Sequence, residues 1–345
     1  MPGSQSPSPN LKLALENIGT IKSAEIELGK VTILYGPNAA GKTTVARVLE
    51  QVIKMLCSGS TEKKDLAVLV NREDRSGRIE LVDDNTRYNV ELKINDDGKL
   101  GVKILRNGET ILGEVVLKDG ARQIDYKYYD KDLVNTGLFE NLGLCSMIWV
   151  RHDHARLINI NPEYENKPVR LTDLFTPTTL HALVDPQETK EEQLFMEEYD
   201  DYVWRVNRSL SNLTLHHVSM AQMLYFTGNQ YFYDENHVAE GVKRVALIIA
   251  SLELARSIRH RRPVVFVESL EDSLHVDYVT ALVDAFSTSE VPVIAETHSM
   301  HAVMLAYSKK LGYYVLENGR VFTDLKESSL FERERGVVSQ LSEIL

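Results

Sequence analysis

Hydrophobic and polar residues alternate along 11–35, and the stretch closes on Val31-Thr32-Ile33-Leu34-Tyr35. A period of two predicts strands with one buried face. A glycine-rich turn follows, and then apolar residues at Val45, Val48, Leu49, Val52, Ile53 and Leu56. Spacings of three and four place these on one side of a helix. From 66 to 129 short β-rich stretches are separated by Asp83-Asp84-Asn85, Asp96-Asp97-Gly98, Asn107-Gly108 and Asp119-Gly120. Asn-Gly and Asp-Gly between strand-like runs are strong hairpin signals, so this region reads as an antiparallel β-meander inserted into the core. Residues 130–235 read as mixed and mostly helical. From 239 an apolar helix, Val245 to Ile258, feeds a strand at Val264–Val267. A helix around Val279–Phe286 then leads to a strand at Val291–Ala295. Strand–helix–strand alternation implies parallel pairing through a crossover. Tyr313–Leu316, Asn318-Gly319 and Val321-Phe322 read as a closing hairpin.

The expected organisation is a tail at 1–10, half of an α/β core at 11–65, a β arm at 66–129, a mixed subdomain at 130–235 and the second half of the core at 236–345. The 345 residues suffice for such a core, and 43% hydrophobic with 26% charged residues is an ordinary globular balance. No apolar run approaches the roughly 18 residues that span a bilayer. MPGSQSPSPN has no basic n-region or apolar stretch, so neither a secretory signal nor a membrane partner is expected. Cys57 and Cys145 lie outside any Cys-x-x-Cys or zinc spacing, which suits reduced thiols in a cytoplasmic protein. A formal net charge of −11 argues against a free-standing binder of nucleic-acid phosphates, although a local basic groove remains compatible with it.

The turn before the first helix reads GPNAAGKTT and fits G-x-x-x-x-G-K-[ST] at every fixed position. Gly36 and Gly41 permit backbone angles that turn successive N–H groups towards phosphates, with Pro37, Asn38, Ala39 and Ala40 completing the cradle. The following helix presents its positive end to the same anion. Lys42 supplies a charge to the β- and γ-phosphates, Thr43 a hydroxyl to Mg²⁺, and Thr44 closes the motif. ATP and Mg²⁺ are therefore the expected cofactors. Further on, VVFVESLEDSLH ends an apolar strand in Glu268, the position of a magnesium-site carboxylate in P-loop proteins. VPVIAETHS ends another in Glu296-Thr297-His298-Ser299, where His298 is placed to sense a γ-phosphate.

The order of these motifs resembles the ABC-type AAA ATPases, relatives of the SMC and RecF ATPases. The matching strings are IKSAEIELGKVTILYGPNAAGKTT, AEGVKR, VESLEDSLH and ETHS, which lie at both ends of the chain. The resemblance implies an α/β P-loop NTPase head of the ABC type, with the β-meander as its inserted arm. It also implies that Glu268 is the Walker B acid and His298 the switch histidine. Gly241, with Ala239, Lys243 and Arg244, would be the signature segment facing the nucleotide of a second copy. Ser273, Leu274 and His275 would form the loop that crosses the dimer interface, and Asp130 would line the magnesium site. An ATP-dependent homodimer follows, acting as a switch on a partner protein or nucleic acid in DNA repair or anti-phage defence.

Two positions depart from the family pattern. Ser269 stands where a glutamate usually polarises the attacking water, and Ala239 replaces the signature serine. Either change is expected to slow hydrolysis, with Glu271 the substitute base. A non-catalytic ATP-binding regulator or scaffold is therefore the alternative, and a RecF-like DNA clamp a second. His152, His154, His216 and His217 match no metal spacing and read as surface or structural residues. Arg259, Arg261 and Arg262 read as a solvated helix C-terminus. The aromatic residues Tyr225, Phe226, Tyr231, Phe232 and Tyr233 read as a packed edge.

Overall fold

The computed structural model describes residues 11–58, 61, 63–71, 73–83, 86–117, 142–165, 167–184, 192–213 and 239–333. Asp130, His216, His217 and the aromatic residues at 225–233 lie outside the described residues. The chain forms two compact units, residues 1–143 with 306–345 and residues 144–305.

In the first unit, β1 (Leu11–Ile18) and β2 (Ile21–Leu28) form an antiparallel hairpin, and β3 (Val31–Tyr35) follows. Alternate residues Leu11, Leu13 and Leu15 of β1 are buried, whereas β3 is buried throughout. That contrast is the one between a half-covered strand and a fully covered parallel strand. Helix α1 (Lys42–Ile53) buries Val45, Val48, Leu49, Val52 and Ile53, the face its spacing predicts. It runs into a π-turn at Lys54–Ser58, where a buried Lys54–Glu50 ion pair closes at 2.9 Å. The short helix α2 (Lys63–Ala67) precedes the meander β4 (Ser76–Asp83), β5 (Thr86–Ile94), β6 (Leu100–Arg106) and β7 (Glu109–Leu117). All three meander pairings are antiparallel, and β4 also pairs with β1. The meander thus extends the N-terminal hairpin's sheet, and its first strand begins at Ser76, ten residues after the boundary expected at 66, where α2 is ending.

The chain returns to this unit with β13 (Gly312–Glu317) and β14 (Arg320–Phe322). Asn318 and Gly319 join them with φ of 52° and 75°, the left-handed pair that matches hairpin twist. β13 pairs in parallel with β3, so the strand order is β3-β13-β14-β2-β1-β4-β5-β6-β7.

In the second unit the strand order is β10-β9-β8-β11-β12, from β8 (Ser146–Val150), β9 (His154–Ile158), β10 (Val169–Arg170), β11 (Pro263–Val267) and β12 (Val293–Thr297). β8, β11 and β12 run parallel and are buried at every residue. Among the described residues its helices are α3 (Leu171–Leu174), α4 (Pro177–Val184), α5 (Glu192–Asn212), α6 (Glu240–Ser257) and α7 (Val276–Thr288). α6 is buried almost all round from Arg244 to Ala255, as befits a helix under a sheet. Helix α8 (Met300–Ser308) carries the chain back to the first unit.

Among the described residues the segment at 130–235 supplies three strands besides its helices, and β8 is central to its sheet. Two differences from the sequence reading stand out. Cys57 and Cys145 are not free thiols but disulfide-bonded, so their usage lends no support to a reducing compartment. The Arg259–Arg262 run is tied down locally: Arg261 donates to the Ile160 carbonyl, and the Arg262 carbonyl accepts from Cys145 N–H at 3.1 Å. Among the described residues no helix is long and apolar enough to cross a membrane, and no cluster of three metal-ligating side chains occurs.

Candidate functional site

The phosphate cradle is built from main chain. β3 ends at Tyr35, and the loop turns at once because Gly36 has no side chain. A Cβ there would lie 2.2 Å from the Leu316 carbonyl oxygen of β13. Gly41, at φ 106°, enters α1 in a region that disfavours L side chains, and its Cβ would meet Ile21 at 2.6 Å. Ala39 also sits at positive φ, 61°. Pro37, Asn38 and Ala39 form an exposed lip, while Ala40, Gly41 and Lys42 are buried and Thr43 and Thr44 half-buried. Lys42 Nζ donates to the Gly36 carbonyl at 2.7 Å and to the Pro37 carbonyl at 2.9 Å, holding the ammonium in the loop's mouth. No side chain caps α1, and no acid sits in its first turn. The positive helix end, the ammonium and a cradle too tight for a Cβ fit a phosphate chain well.

The second unit holds the distal motif residues, and the sheet brings them together. β8 and β11 end side by side, with Val150 opposite Val267 and Glu268 N–H donating to the Val150 carbonyl at 2.9 Å. Glu268 is half-buried, and its Oε2 accepts from Arg151 Nε at 2.9 Å. Ser269 follows at φ 48°, which turns the chain sharply after the acid. Leu270 N–H then donates to the Glu296 carbonyl at 2.8 Å and joins this turn to the end of β12. Glu271 reaches the same loop. Its Oε2 accepts from Thr297 Oγ1 at 2.6 Å and its Oε1 from His298 N–H at 2.9 Å. His298 itself is exposed at the tip of β12. Both Glu271 oxygens are thus bonded to the His298 turn.

Of the signature residues, Gly241 and Arg244 face inward. Gly241 packs so closely on the next loop that a Cβ would lie 2.6 Å from the Ser273 carbonyl oxygen. Ser273 is exposed at φ 61°, and His275 caps α7, its Nδ1 accepting from Asp277 N–H at 3.4 Å. Ala239 is the exposed N-cap of α6 and offers no side-chain bond, while Lys243 pairs with Glu240 at 2.5 Å. Arg244, expected beside the glycine facing a second copy, is instead 2% exposed. Its guanidinium donates to the main-chain carbonyls of Arg151 and Glu268, so it serves its own chain. Burial lowers its pKa to about 10, while the carboxylates of Asp272, Glu268, Glu271 and Asp153 oppose that shift and keep it charged at neutral pH.

Arg151 is a residue that motif reasoning missed, and His152, read as a surface or structural residue, is exposed next to it. Arg151 holds the Glu268 carboxylate, and His152 Nδ1 lies 2.5 Å from Asp272 Oδ2. The available signal was the apolar run Met147–Val150 ending in Arg-His-Asp-His, which repeats the strand-then-polar-tip pattern of β11 and β12.

Comparison with known proteins fits this geometry. The family profile described as "AAA domain, putative AbiEii toxin, Type IV TA system" matches residues 31–304. No curated protein matches. Among solved structures, an SMC head bound to the C-winged helix domain of ScpA superposes with a TM-score of 0.53 at 12% identity, covering 93% of this chain and 99% of that one. The Smc head with an extended coiled coil from Pyrococcus furiosus gives 0.48 at 11% identity, covering 98% and 100%. The recombination mediator RecF with ATP gives 0.44 at 12% identity, covering 92% and 100%. The first of these shows that the α/β fold is that of an SMC-type P-loop head.

Proposed function

Because this chain belongs to that AAA-domain family and is an ATPase-type P-loop domain, we propose that it binds ATP with magnesium at residues 36–44 and works as an ATP-driven dimer switch. The observation that carries this reading is the cradle itself, with Lys42 Nζ 2.7 Å from the Gly36 carbonyl at an uncapped helix N-terminus. Lys42 and the loop amides hold the phosphates, and Thr43 and Glu268 supply oxygen ligands suited to Mg²⁺. Bound magnesium neutralises phosphate charge. His298 addresses the γ-phosphate, and Glu271 orients His298 by fixing its N–H. Ala239, Gly241, Lys243, Ser273 and His275 form the face offered to the second copy, and engagement is passed to a partner protein or nucleic acid. The SMC head of similar fold is bound to a winged-helix domain of ScpA, which favours a protein partner here.

A second reading, an ATP-binding regulator with little turnover, has a specific observation in its favour. Ser269 replaces the usual base at φ 48°, and both oxygens of Glu271 are already bonded. One experiment separates the two: sizing of the purified chain with and without Mg·ATP while phosphate release is followed. ATP-dependent dimerisation with release abolished in Lys42→Ala supports the switch. Dimerisation without release supports the regulator, and the absence of any magnesium-dependent nucleotide binding refutes both.

A further inference from the structure

A guanidinium already holds the carboxylate that this function assigns to magnesium. The Arg151–Glu268 bond of 2.9 Å joins two side chains whose main chains are both fixed. Arg151 N–H donates to the His154 carbonyl at 2.8 Å, and Glu268 N–H to Val150 at 2.9 Å. Buried Arg244 bridges the carbonyls of Arg151 and Glu268. The Arg151 guanidinium also lies over the Trp149 ring, 5.5 Å from its centroid, and that indole is 3% exposed. The two side chains remain 41% and 22% exposed, within reach of an ion from solvent.

We propose that Arg151 is a positioning residue that latches Glu268 and yields the carboxylate when a divalent cation takes it. The latch rests on the reading of Glu268 as the magnesium acid. Two cations on one carboxylate repel each other, so magnesium has to weaken the guanidinium's hold. Arg244 keeps the main chain in place while the side chains exchange. Because the guanidinium stacks on Trp149, the exchange alters that indole's surroundings and its emission.

The test uses the full chain carrying Trp204→Phe, which leaves Trp149 as the sole tryptophan of the two. Trp204 is 56% exposed, so its replacement leaves the core intact. Magnesium chloride is titrated at fixed ATP, with Trp149 emission and the affinity for a fluorescent ATP analogue both recorded. The latch predicts a saturable change in Trp149 emission. In Arg151→Ala that change disappears and the magnesium midpoint for nucleotide binding falls about two- to fivefold, the scale of a part-exposed ion pair. Arg151→Lys, which keeps the charge but loses the planar fork, falls between. An unchanged or higher midpoint in Arg151→Ala, with the parent binding Mg·ATP normally, overturns the latch and leaves the cradle standing. If the parent binds nucleotide with no dependence on magnesium, the function fails and takes the latch with it.

Discussion

The phosphate loop and the distal loops hold their functional groups by opposite means. Around 36–44 main chain does the holding: glycines admit a tight turn, carbonyls receive the lysine, and a helix end supplies charge. Around 268–275 and 296–298 side chains do it, through Arg151 on Glu268, Glu271 on Thr297 and His298, and Arg244 on two carbonyls. A main-chain site is specified by a short local string. A side-chain site is specified by residues far apart in sequence, and it is open to regulation because each link can be exchanged.

Gly36→Ala should break the first kind of site most severely. The added methyl would lie 2.2 Å from the Leu316 carbonyl oxygen, a main-chain atom that cannot rotate away. We expect a loss of about 3 kcal/mol in unfolding free energy, together with loss of nucleotide affinity. Chemical denaturation with and without Mg·ATP measures both. An unchanged midpoint would mean that the loop yields easily and that its shape is not set by β13.

Arg244→Met tests the second kind. Methionine keeps bulk in the buried space but leaves the carbonyls of Arg151 and Glu268 without their shared donor. A loss of about 2 kcal/mol is expected. Magnesium-free nucleotide affinity should persist, since the cradle lies in the other unit and does not use this arginine. The comparison fails if affinity without magnesium falls as much as affinity with it.

The same contrast decides what could be read from the sequence. GPNAAGKTT is contiguous, its chemistry resides in residue types at fixed spacing, and the strand before it and helix after it are visible as periodicity. Glu268 and His298 were found because apolar runs end at them. Arg151 ends an apolar run too, but it lies in no motif string and its partner is 117 positions away. Arg244 misled for a related reason. Its place in AEGVKR says what lies beside it in sequence, whereas a helix turns successive residues about 100° apart, and one position on from Lys243 the side chain points into the core. The disulfide-bonded state of Cys57 and Cys145 had no local spacing to announce it.

Glu317 sharpens the comparison with the smallest expected effect, because it shows side chains supporting even the main-chain site. It follows Leu316, whose carbonyl walls Gly36, and its carboxylate accepts from Ser328 Oγ at 2.8 Å, Ser329 N–H at 3.0 Å and Arg333 at 2.8 Å. Burial alone would raise its pKa, but the bonds from Ser329 and Ser328 and from Arg333 outweigh burial and hold it below the usual carboxylate range. A depressed folded-state pKa means that the ionised group stabilises the fold above its unfolded value of 4.5, and that the benefit is lost as pH falls through the folded value. Glu317→Gln should therefore cost about 1 kcal/mol at neutral pH, with the gap from the parent narrowing steadily in acid. Paired unfolding curves across that range check the sign. A gap that stays constant would place the loss in the shape of the amide, not in the missing charge, and β13 would then brace the cradle by packing alone.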